Sequence, residues 1–190
     1  MQTNKRVSSS NIVVSGNMRQ GLTYTLVFIK NEYQVLLGLK KRGFGKGKWN
    51  GFGGKVEKNE TIFDGAIRET KEECNLKVNN LKHVGIVAYE DILDCRMDFV
   101  HVFTANKYTD ILQESDEMKP EWFDYEIIPF QQMWPDAKYW YPFMLQDKNF
   151  FAHVVYYNEE SYKNTNIREY SSIKMVADYM KSLMKRKNIV

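Results

Sequence analysis

Between residues 53 and 76 the chain reads GGKVEKNETIFDGAIRETKEECNL, a glycine-rich turn running into a helix that carries Glu69, Glu72 and Glu73 within five positions. Like charges three or four apart on a helix repel by a few tenths of a kcal/mol per pair in water, and by more when half-buried. The helix itself is well specified. Thr61 is a good N-cap, and Asp64 three residues on can reach back to a free backbone N–H, as in a capping box. Phe63, Ile67, Thr70 and Cys74 recur at the spacing of a core-facing stripe, which places the three glutamates together on an outward arc. Asn75 suits the left-handed residue that closes a helix. A solvated acidic face is the plain alternative. However, the carboxylates follow a glycine-rich turn, and Gly65 one turn before Glu69 leaves their approach open. Clustered carboxylate oxygens suit a hard divalent cation such as Mg²⁺, which commonly holds substrate phosphates as well and reverses the sign of the local field.

Gly54, Glu60, Arg68, Glu69, Glu72, Glu73 and Leu76 fit the pattern G-x5-E-x7-R-E-U-x-E-E-x-G-U, where U is a bulky aliphatic residue. By this motif the chain resembles the Nudix hydrolases. Thr70 stands for the first aliphatic residue and Asn75 for the glycine, and neither change removes a candidate ligand. The stretches LTYTLVFI, QVLLGLKKRGFGKGKWNGFGGKV, ESDEMKPEWF and PFQQMWPDAKYWYPFMLQ extend the likeness, from Leu22 to Glu169, to the animal oxidised-purine nucleoside triphosphatases of that family.

The resemblance implies an α/β fold, a mixed β-sheet sandwiched between α-helices. It implies Mg²⁺, with Mn²⁺ as a substitute, held by Glu69, Glu72, Glu73, Glu117 and the Gly53 carbonyl. Arg68 and Glu60 then orient those carboxylates, and Lys40 faces the phosphates. Thr25, Phe44, Asn50, Met118, Trp134 and Asp136 surround the base. The implied reaction is attack of water on the β-phosphorus of an oxidised purine (d)NTP such as 8-oxo-dGTP or 2-hydroxy-dATP, giving monophosphate and pyrophosphate and so sanitising the nucleotide pool. Read without the family, Asn50 beside Gly51 is equally a turn residue, Asp136 a first-turn acid and Trp134 a core residue. Glu72, Glu73 and Glu117 all stand as candidate general bases.

The chain departs from the subfamily where WPDD becomes Trp134-Pro135-Asp136-Ala137. Losing one carboxyl removes a hydrogen-bonding partner worth about 1–3 kcal/mol to a matched edge. Tyr89, Asp91 and Asp98 also replace mostly apolar residues there, and Tyr156 replaces Phe. The preferred modified purine therefore does not follow from the family. The alternatives are a Nudix hydrolase for dinucleoside polyphosphates or capped RNA, and a Nudix fold retained as a binding module.

Hydrophobic residues make up 43% of the 190, enough for a substantial core, and the two cysteines are too few for a disulfide framework. Net charge is +3, but residues 1–20 carry +3 and residues 171–190 carry +4, so the middle of the chain stands at −4. An acidic middle suits a cation-dependent site and argues against a broad nucleic-acid groove. We read residues 1–20 as a flexible extension with weak transit-peptide character, 21–170 as the Nudix domain, and 171–190 as a basic amphipathic helix. The expected protein is a monomer acting on a small nucleotide, cytoplasmic with mitochondrial or nuclear alternatives.

Overall fold

A computed structural model describes residues 18–158 and 161–189, and the expectation for the first part of the N-terminal extension lies outside them. In chain order the elements are β1 (Arg19–Lys30), β2 (Gln34–Lys40), β3 (Trp49–Asn50), α1 (Ile62–Cys74), β4 (Lys77–Val78), β5 (Lys82–Asp91), β6 (Arg96–Ala105), β7 (Tyr108–Thr109), β8 (Met118–Asp124), α2 (Ala137–Leu145), β9 (Asn149–Asn158), β10 (Ser161–Tyr170) and α3 (Ile173–Arg186).

The first hairpin forms where β-branched and aliphatic residues flank Lys30-Asn31-Glu32, with Ile29 opposite Leu36. It extends into an eight-stranded mixed sheet of order β10-β9-β5-β6-β1-β2-β3, with β8 also paired to β2. The β1–β6 and β5–β9 pairs are parallel. Alternation along the strands divides the core between two faces. On one face Phe28, Leu37, Val102 and Phe150 pack beneath Trp140 and Tyr141 of α2. On the other, Val27, Ile29 and Phe103 pack under α1, and Ile86, Phe99 and Phe151 pack under α3. Burial of each such side chain contributes about 1.5–3 kcal/mol. The sheet is therefore covered on both faces, as the sequence led us to expect.

Helix α1 has the N-cap read from the sequence. Thr61 accepts from the Asp64 N–H, Asp64 reaches back to the Thr61 N–H, and Asn75 closes the helix at φ 61°. Its buried stripe is rotated from the expected one: Phe63 is 43% exposed, whereas Glu73 is 3% exposed alongside Ala66, Thr70 and Cys74. The three glutamates thus do not share one outward face. The cause is non-local, because the partners that make burial of a carboxylate tolerable lie on other elements.

Helix α3 lies against β5, β9 and β10. Val176 and Leu183 are buried beneath it, and Ser172 caps its N-terminus. Just beyond its C-terminal end Lys187 donates to both oxygens of Glu90, at 2.7 and 2.9 Å, and His153 Nε2 donates to Glu90 Oε2 at 2.7 Å. Glu90 is 7% exposed, and these partners, His153 first, hold its carboxyl down at about 2. The folded-state value is depressed, so this stability is present above the ordinary glutamate value and is lost as pH falls from there toward 2. Glu90→Gln is expected to cost about 2 kcal/mol at neutral pH, several degrees in Tm. The gap from the parent protein should close on acidification, and an equal gap in strong acid would show that the ion pairs are not its source. No helix among the described residues is long and apolar enough to cross a membrane.

Candidate active site

The glycine-rich turn lies against α1 because its residues leave room for the acids. A Cβ on Gly54 would lie 2.5 Å from the Glu69 carboxyl, and one on Gly65 would lie 2.9 Å from Glu60 Oε1. Arg68 then acts as a hub. Its Nε and Nη2 donate to the two oxygens of Glu60, at 3.1 and 2.7 Å, in a bidentate pair. Its Nη1 donates to Glu69 at 2.9 Å and to Glu72 at 3.3 Å, while Nη2 also reaches the Lys55 carbonyl at 3.2 Å. The Arg68 donation holds the Glu60 carboxyl below its usual range, whereas burial pushes Glu69 up.

Across the helix, Glu73 Oε2 accepts from the backbone N–H of Gly53 at 2.8 Å and Oε1 accepts from Lys40 at 3.1 Å. Burial raises the Glu73 carboxyl to about 7. Lys40 bridges Glu73 to Glu117, to which it also donates, and Arg42 approaches the other Glu117 oxygen at 3.6 Å. Burial pulls the Lys40 ammonium down, but the two carboxylates outweigh it and hold its pKa above the usual value. The structure thus assembles the acids around two cations, with Glu69 and Glu72 turned to Arg68 and Glu73 and Glu117 turned to Lys40. Among the described residues no three acids, histidines or cysteines are gathered closely enough to grip a metal ion. Like-charged oxygens separate, and each pair turns to the nearest cationic side chain. The donor set, four carboxylates with backbone close by, has the all-oxygen chemistry of a hard divalent ion. Gly53 contributes its N–H to Glu73, a contact the sequence did not announce.

The residues expected around the base are placed less uniformly. Phe44 and Trp134 stack with centroids 5.0 Å apart, and Lys48 lies 5.0 Å over the Trp134 ring. Asp136 is 5% exposed, and its Oδ2 accepts from Tyr89 and from the Trp140 indole N–H, each at 2.8 Å. Asn50 Oδ1 accepts from the Gly51 N–H at 2.9 Å and from the Tyr141 hydroxyl at 3.3 Å. Tyr156 lies edge-on to Tyr89. Met118 is packed in the α1-side core with Phe52, and Thr25 is buried with no hydrogen-bond partner for its hydroxyl.

Asp98 and Asp91 are held by local structure instead. Asp98 accepts from the Leu22 N–H at 2.7 Å and pairs with Arg96 at 3.1 Å, and Asp91 accepts from the backbone of Leu93 and Asp94. Sequence reasoning missed Trp140 and Tyr141. The four-residue spacing from Asp136 to Trp140 on α2 was a usable signal, but nothing local marks Tyr141, which meets Asn50 from 91 positions away.

Comparison with known proteins identifies what the chain is similar to. The NUDIX domain model matches residues 20–144. The chain is similar to the oxidized purine nucleoside triphosphate hydrolase of Mus musculus, at 45% identity over 78% of this chain and 96% of that one. It is also similar to the same-named protein of Danio rerio, at 50% identity over 68% and 83% respectively. Among solved structures, a mutator MutT protein from Bacillus halodurans superposes with a TM-score of 0.69 at 23% identity, covering 77% of this chain and 97% of that one. That likeness bears on the fold.

Proposed function

The chain belongs to the Nudix family, and from that premise we propose that it is a Mg²⁺-dependent hydrolase converting oxidised purine nucleoside triphosphates to monophosphate and pyrophosphate. The observation that carries this reading is the grouping of Glu69, Glu72, Glu73 and Glu117 about Arg68 and Lys40, whose backbone N–H donates to the carbonyl of Lys48, the residue that lies over Trp134, in a chain 45–50% identical to hydrolases of that name. The four carboxylates, with backbone at Gly53, would hold the metal. Bound there, a divalent ion supplies neutralisation of phosphate charge and a more acidic water.

The chain's own residues do the rest. Lys40, freed from one of its carboxylates, presents an ammonium to the polyphosphate. Arg68 keeps Glu69 and Glu72 from turning away, and a carboxylate not committed to the cation accepts the proton of the attacking water. Phe44 and Trp134 offer flat apolar faces to the purine, while Asn50 and Asp136 offer polar atoms to its edge.

The test is a substrate panel of normal and oxidised nucleoside triphosphates, dinucleoside polyphosphates and capped RNA, with product analysis. Pyrophosphate release from 8-oxo-dGTP or 2-hydroxy-dATP is expected, supported by Mg²⁺ or Mn²⁺ and abolished by chelator. Hydrolysis confined to the dinucleoside polyphosphates or capped RNA would reject this substrate class.

A further inference from the structure

The matched domain model stops at residue 144, and α3 lies beyond it, packed on the sheet toward the β10 edge. Helix geometry sorts its side chains into two opposed stripes. Val176 and Leu183 are buried on the sheet side, with Ile173, Met180 and Met184 packed beside them. Lys174, Lys181 and Lys185 fall within about 40° of one another on the far side of the helix and run along about 16 Å of its length. All three are exposed.

Two arginines widen this ridge. Arg168 on β10 and Arg186 on α3 lie over the Tyr179 ring, 5.3 and 5.4 Å from its centroid, and Arg186 Nη1 donates to Ser182 Oγ at 2.7 Å. An aromatic ring holds a guanidinium in place without cancelling its charge. Lys148 and Lys187 nearby are taken up by Glu169 and Glu90. By contrast, among the described residues none of Lys174, Lys181, Lys185, Arg168 and Arg186 has a carboxylate within ion-pair distance, although Asp178 shares the helix. The acids of α1 sit farther along the same face of the sheet, over β1, so the uncompensated positive charge gathers at the β10 edge.

We propose that the outer face of α3, together with Arg168, is a docking surface for an anionic phospholipid bilayer. A straight ridge of cations suits a plane of phosphate and carboxylate headgroups, and each cation held near such a surface strengthens attachment by about fivefold. Val176 and Leu183 are committed to the core, so the helix attaches by charge and does not insert its apolar side. Met175, 49% exposed, lies beside the ridge. A single-stranded nucleic acid fits this surface less well, because it calls for a groove with open aromatic faces. The Tyr179 ring is already covered by the two guanidiniums, Phe151 and Tyr170.

The test is co-sedimentation of the full chain with vesicles of phosphatidylcholine, with or without phosphatidylserine. The chain is expected to bind only the vesicles containing phosphatidylserine, and to be released when salt is raised from about 0.05 M to about 0.5 M. Replacing Lys174, Lys181 and Lys185 together with glutamine should weaken binding about a hundredfold. Glutamine is nearly as good a helix former as lysine, so α3 should persist, as circular dichroism would verify. The control replaces Lys58, Lys77 and Lys107, exposed lysines on other elements, with glutamine for the same change in net charge. It should lose no more than a few-fold, and hydrolysis without vesicles should be the same in all three proteins. Equal losses in the two triple variants would overturn the proposal, since net charge and not this ridge would then drive binding. Binding that survives high salt would overturn it in favour of apolar insertion. Tighter binding to a single-stranded oligonucleotide than to vesicles at equal phosphate would overturn it in favour of nucleic acid.

Discussion

Glu73→Gln is expected to reduce turnover by about a thousandfold or more while nucleotide binding in the absence of metal largely persists. Among the glutamates of α1 this one is the most deeply placed, 3% exposed, with one oxygen on the Gly53 N–H and the other on Lys40. A glutamine fills the same volume and can still accept from Gly53, so the turn should keep its position. What disappears is the negative charge, and both roles open to Glu73, holding a cation and accepting a proton from water, require it. Lys40 would still find Glu117, and so the variant should fold with a melting temperature near that of the parent. Steady-state hydrolysis, calorimetric binding of a nucleoside monophosphate without metal, and calorimetric Mg²⁺ or Mn²⁺ titration separate these effects. Near-normal turnover would show that the reaction runs through other carboxylates.

The burial of Glu73 also marks where sequence reading stopped. The ends of α1 were legible because capping is local: Thr61 and Asp64 are three residues apart, and Asn75 takes the left-handed conformation itself. The placement of Glu69, Glu72 and Glu73 on that one helix was legible for the same reason. Their exposure was not, since it depends on Gly53 and Lys40, which reach the helix from the preceding turn and from β2. The Asn50–Tyr141 contact likewise joins a two-residue strand to a distant helix and leaves no trace in any local pattern. Strand β10 was not anticipated, because SYKNTNIREY is mostly polar and pairs only with β9, at the edge of the sheet. A strand with one neighbour needs less apolar alternation than a central one, so its signal in the sequence is weak.

Replacing Arg68 with alanine is expected to lower kcat/KM by about 10–100-fold, the usual effect of removing a group that orients metal-binding carboxylates. Arg68 carries no chemistry of its own in this arrangement, but one guanidinium satisfies Glu60, Glu69, Glu72 and the Lys55 carbonyl at once. Without it Glu69 and Glu72 lose the cation between them, and their mutual repulsion favours rotamers that leave the site. Arg68→Lys tests whether charge alone suffices. A lysine restores the positive charge but cannot reproduce the planar fork that takes both oxygens of Glu60 and still reaches Glu69, so it should recover only a small part of the loss. Glu60→Gln should mimic a milder form of the same defect, because it weakens the bidentate pair that fixes the fork while leaving the acids in place. Metal affinity, read by calorimetry without nucleotide, should fall in the order Glu60→Gln, Arg68→Lys, Arg68→Ala, from smallest loss to largest. Full activity in Arg68→Lys would mean that the geometry of the fork is irrelevant and that Arg68 serves only as a counter-charge.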